Sequence, residues 1–119
     1  MSAERDPLDA LEDILHNMEL ARRFLEDSAS VDELEGDPKT LYSVVRAIEV
    51  IGEATKRVPA SVRRMDPEVP WKEMAGMRDK LIHAYETVDV ELVLKTVRER
   101  IPVVELRVRV VLERLTEPP

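Results

Sequence analysis

Four residues within one short stretch have the types and spacing to do chemistry: Arg78, Asp79, His83 and Tyr85. An imidazole titrates near pH ~6.5 and can take or give a proton at neutral pH. A guanidinium keeps its charge and can hold two oxygens of an anion at once. The rest of the chain narrows the choice. It has no cysteine, so thiol nucleophiles, disulfide scaffolds, zinc ribbons and iron–sulfur sites are excluded. Its three glycines, Gly36, Gly52 and Gly76, are too far apart for a phosphate-cradling loop or a dinucleotide fingerprint. Only His16 and His83 can supply imidazole chemistry.

Each candidate also has a bland reading. Arg78 falls on a line with Trp71, Met74, Ala75, Leu81, Ile82 and Tyr85 if 70–86 is one helix. A guanidinium on an apolar line must meet an anion, either a buried carboxylate such as Glu53 or one that enters from a groove. Asp79 and His83, four residues apart, are either an ordinary surface pair or a carboxylate that fixes an imidazole tautomer. On an ideal helix Arg78 and His83 point about 140° apart, so they converge only through long side chains or a local distortion. Tyr85 can equally be a half-buried residue with its hydroxyl at the surface. His16, with Glu12, Asp13 and Glu19 nearby, gives half of a di-metal helix motif at most; it reads as a solvated helix face, and no metal site is expected. Arg98, Arg100, Arg107, Arg109 and Arg114 read as a solvated face that could also meet RNA.

The elements that must position these residues read as helices. Asp6-Pro7 and Asp37-Pro38 are each an N-cap followed by proline at the first helical position. They open helices over about 7–28 and from 38 to Val58. Gly52 sits on the apolar stripe of the second; a glycine there costs about 1 kcal/mol of helix propensity and predicts close approach of another backbone. The stretch from Ser28 to Gly36 is a polar connection with room for one turn, and Pro59 to Pro70 is a connector with room for one short helix. Pro70-Trp71 opens the third helix and Asp89 caps the fourth, whose apolar line runs from Val90 to Leu115. Residues 104–110 also alternate as a strand would, but nothing could pair with a lone strand. Pro102 should kink or divide that last helix. The expected fold is all-α: an antiparallel bundle of four main helices plus short connecting helices, as one domain over 1–119.

Length, 119 residues, fits a single domain with a core of its own. The net charge of −7 is uneven: residues 1–37 hold 12 acidic and 3 basic side chains, and residues 38–119 hold 13 and 15. A negative total disfavours loose nucleic-acid binding but leaves room for a focused basic site. No apolar run reaches the ~20 residues of a membrane span, and the polar, acidic start lacks a signal peptide's apolar stretch. A cytoplasmic location without membrane contact is expected.

The segment PWKEMAGMRDKLIHAYETVD contains Arg78-x4-His83-x-Tyr85 and resembles the R-x4-H-x-Y motif of HepT-like toxins in the HEPN superfamily. Gly52-Glu53-Ala54 is similar to that family's second recurring element, and the order of elements agrees along nearly the whole chain. The resemblance implies a HEPN-like bundle acting as a ribonuclease toxin that needs no metal or other cofactor. It also implies a homodimer and a small nucleotidyltransferase antitoxin that transfers AMP to Tyr85. Arg78 and His83 would be catalytic, with Asp79 and Glu53 in support.

That chemistry is physically coherent. RNA carries its own nucleophile, the 2′-hydroxyl. His83 can move the proton, and Arg78 can oppose the charge that grows on the pentacoordinate phosphorus. The product would end in a 2′,3′-cyclic phosphate. In-line cleavage wants an acid and a base, and a two-fold dimer would bring a second motif histidine. The competing reading keeps the fold but not the catalysis: a helical module that binds a nucleotidyltransferase or a nucleotide, with Arg78 on phosphate.

Overall fold

The computed structural model describes residues 6–25, 30–82 and 87–118. The chain is all-α: among the described residues there are helices, turns and one isolated antiparallel bridge, Ile82 with Val88. Helix α1 spans Pro7–Phe24, α2 Val31–Glu35, α3 Pro38–Lys56, α4 Ala60–Arg63, α5 Trp71–Ala75, α6 Met77–Leu81, α7 Val90–Lys95 and α8 Ile101–Thr116, with a π-helical turn at Thr96–Arg100 between the last two.

The predicted caps form. The Asp6 carboxylate accepts from the Leu8 N–H, Asp37 from Thr40 and Asp89 from Leu92, which satisfies donors that no helical carbonyl can reach. Helix α1 lies along α3, its most extensive partner, and α8 packs on α1. Their facing stripes, among them Leu11, Ile14, Met18, Val44, Ile48, Val108 and Val111, form the core. The expected short helices in the two connections are α2 and α4. Residues 104–110, read as helix despite their strand-like alternation, lie inside α8.

Two elements differ from expectation. The single helix expected from Pro70 to Glu86 is two short ones. It breaks at Gly76, whose N–H is shared between the Lys72 and Glu73 carbonyls, and it ends at Leu81 because Ile82 is extended at φ −115° and ψ 113°. The break resets the phase of the buried face, so Met77, not Arg78, follows Met74 into the core. The fourth helix is divided, as Pro102 suggested, but one turn upstream. Ile101 N–H bonds to the Thr96 carbonyl five residues back. Pro102 has no N–H for the Arg98 carbonyl, and its ring crowds it; a widened turn relieves both.

Candidate active site

Gly52 fixes where the site is built. A Cβ on Gly52 would lie 3.2 Å from the Met74 carbonyl oxygen and 3.5 Å from that of Ala75. The missing side chain therefore lets the backbone of α5 rest on α3, which is the close approach the sequence predicted. One turn along each chain from this crossing, Arg78 of α6 meets Glu49 of α3: Arg78 Nε donates to Glu49 Oε2 at 2.7 Å. Asp79 Oδ1 is 3.7 Å from Arg78 Nη1, and the Asp79 side chain is exposed.

Arg78 is thus at the surface, with 48% of its side chain exposed, rather than within the apolar stripe. Its partner is Glu49 and not the expected Glu53, which points to solvent and pairs with Lys56 at 3.2 Å. The two glutamates share a face of α3 one turn apart, and only the crossing point at Gly52 decides between them. The signal existed in the sequence as a glutamate one turn before a stripe glycine, but it needed the antiparallel register of α5 and α6 on α3.

The chain leaves α6 at Ile82 and is tied again at its return. Ile82 bridges to Val88, and the Asp89 N–H donates to the Leu81 carbonyl at 2.8 Å. Leu81 is fully buried, so this tie is anchored in the core. His83 and Tyr85 follow Ile82 in sequence and lie outside the described residues. The helix has ended before His83, so the 140° separation of an ideal helix does not constrain the motif.

The neighbouring charges are held by their own partners. Arg107 of α8 donates through Nε and Nη2 to both oxygens of Asp66, each at 2.9 Å, and reaches Glu68 at 3.1 Å. That hydrogen bonding holds the Asp66 carboxyl below its ordinary value. Trp71 Nε1 donates to the carbonyls of Arg63 and Asp66, so the same connector fixes the start of α5. Buried Glu105 accepts from Arg22 at 2.9 Å, and Arg109 lies 3.5 Å from it. Arg107 and Arg109 are therefore committed to carboxylates and do not form a free basic face. Asp13, considered beside His16, accepts from Arg57 at 2.8 Å. Among the described residues, no helix is long and apolar enough to cross a membrane.

A family model described as "Ribonuclease HepT-like" matches residues 14–111. A chain of Thermococcus cleftensis named "Probable ribonuclease HepT" is 50% identical over 99 residues, covering 83% of this chain and 89% of that one. A "Putative RNase" of Methanocaldococcus jannaschii is 39% identical over 114 residues, covering 96% and 97% of the two chains. Another "Putative RNase", from Caldanaerobacter subterraneus subsp. tengcongensis, is 37% identical over 110 residues, covering 92% and 97%. No solved structure matches at a significant level. With matches that run from the first helix through Gly52 and the Arg78 segment into the last, the chain belongs to the HepT-like ribonuclease family.

Proposed function

We propose that the chain is the toxin of a toxin–antitoxin pair, a metal-independent endoribonuclease that works as a homodimer in the cytoplasm. The observation that carries this reading is the Arg78–Glu49 pair. It holds a half-exposed guanidinium at the surface, on the last turn before the motif histidine. A half-exposed guanidinium held in place by a carboxylate is suited to a phosphodiester. In the proposed reaction the ribose 2′-oxygen attacks the adjacent phosphorus as His83 removes its proton. Arg78 opposes the charge on the nonbridging oxygens, and the 5′-oxygen leaves with a proton from the second histidine of the dimer. One strand then ends in a 2′,3′-cyclic phosphate and the other in a 5′-hydroxyl.

The homodimer is supported by α8. Val103, Leu106 and Val110 recur on one face of that helix and are exposed. Val103 also borders an apolar cleft of about 600 Å³ whose walls include Met74, Met77 and Ile101. A second copy would cover both. In the antiparallel register that sets Val103 opposite Val110, Glu99 comes opposite Arg114, so the pairing also matches in charge.

Silencing is assigned to Tyr85, two residues after His83. AMP carried there by a nucleotidyltransferase partner would bring a bulky anion near Arg78 and oppose substrate binding. Cleavage in excess EDTA tests the activity: it should persist in the parent and vanish in His83→Ala. Incubation with the nucleotidyltransferase and ATP should add AMP to the parent and none to Tyr85→Phe. Retained cleavage in His83→Ala, or strict dependence on a divalent ion, overturns the mechanism. RNA binding without cleavage by the parent favours the binding module.

A further inference from the structure

The face of α3 that presents Glu49 to Arg78 continues towards the helix N-terminus with Arg46, Tyr42 and Lys39, spaced three, four and three residues apart. That spacing keeps all four on one side of the helix, away from the buried stripe of Leu41, Val44, Val45 and Ile48. Tyr42 is 64% exposed, and Arg46 and Lys39 are exposed as well. A single exposed tyrosine has no meaning by itself. Here the ring lies about 10 Å along the helix axis from Glu49, with one cation between it and the Arg78 pair and another beyond it. A line of cations broken by an exposed aromatic ring is the arrangement that holds single-stranded nucleic acid: the cations follow the phosphates, and a base stacks on the ring without regard to sequence.

We propose that this face of α3 is the track for single-stranded RNA leading to Arg78, with a base next to the cleaved linkage stacked on Tyr42 and its phosphate on Arg46. The inference rests on the ribonuclease reading, since it names how the same substrate is held. It implies a preference for unpaired RNA, because a base inside a duplex cannot present its face to Tyr42.

Binding of a short fluorescein-labelled single-stranded RNA of mixed sequence, followed by anisotropy in a His83→Ala background so that the probe stays whole, tests the track. Tyr42→Ala should weaken binding about tenfold, and Tyr42→Phe, which keeps the ring, should restore it. Arg46→Gln should weaken binding and reduce the salt dependence by roughly one phosphate's share. Equal affinity in Tyr42→Ala and its parent overturns the track, and if the wild-type chain still cleaves RNA through His83 the ribonuclease reading stands without it. Binding that depends on Tyr42 in a chain that never cleaves RNA supports the track and removes the catalytic reading instead. A change in oligomeric state with Tyr42→Ala, at unchanged RNA affinity, assigns the face to protein contact and also overturns the proposal.

Discussion

On the proposed mechanism, the Arg78–Glu49 pair should matter more to activity than to stability. Such a pair contributes roughly 0–1 kcal/mol to folding, yet it decides where the guanidinium points, and a misplacement of about 1 Å can cost ~100-fold in rate. Glu49→Gln should therefore shift the unfolding free energy by less than about 1 kcal/mol while RNA cleavage falls by about 10- to 100-fold, read by urea titration and by single-turnover kinetics. Arg78→Lys should not restore what Arg78→Ala loses, because an ammonium cannot span two oxygens with a planar fork. A second prediction concerns Asp66. The Arg107 hydrogen bonds lower its folded pKa below the ordinary 3.8, so the unfolded chain takes up the proton first. The stability this carboxylate gives is complete above the ordinary carboxylate range and is lost as pH falls towards the depressed folded value. Urea melts from about pH 5 downward should show a shallower acid loss in Asp66→Asn than in the parent.

At the scale of the element, helix α5 and its contact with α3 are the sensitive joint. Gly52→Val should cost about 1–3 kcal/mol by forcing α5 off α3. Gly52→Ala sets a gain in helix propensity of about 1 kcal/mol against a contact at 3.2 Å, so its stability should change little. Cleavage should drop in both, because Arg78 is carried on the next turn; thermal melts alongside activity separate the two effects. The starts of the long helices were legible in the sequence because Asp6, Asp37 and Asp89 have local jobs that leave local marks. The contact at Gly52 was legible because a glycine on an apolar stripe has few other uses. The break at Gly76 and the end at Leu81 were not. Met77 and Leu81 continue a plausible helical stripe, and the extended backbone at Ile82 is stabilised by Val88 and Asp89, partners that no local pattern announces. The same limit hid Glu49: which of two glutamates meets Arg78 depends on how two helices cross, which is a property of packing and not of spacing. The family motif identified Arg78 as a candidate without showing whether it was buried.

For the whole molecule, the chain is long and narrow, 50 × 27 × 25 Å with a radius of gyration of 14.9 Å, where a compact chain of this length has about 13.5 Å. Its accessible surface is 7498 Å², above that of a compact monomer of its mass, as an elongated shape requires. Leu106→Glu, placed in the middle of the exposed face of α8, should turn a dimer into a monomer in light scattering at micromolar concentration and abolish cleavage. The core should be little affected, since Leu106 is 68% exposed and lies outside it. The π turn at Thr96–Arg100 sets the direction in which that face looks. A helix advances about 100° per residue, so loss of one residue within α8 would turn everything beyond it by about that angle. The π turn takes in one residue more than an α turn, so loss of one residue between Thr96 and Arg100 would instead let the helix close as ordinary α, with Val108 and Val111 still facing the core. The spare residue of this turn is thus the place where the arm could shorten and leave the surface it offers to another molecule where it is.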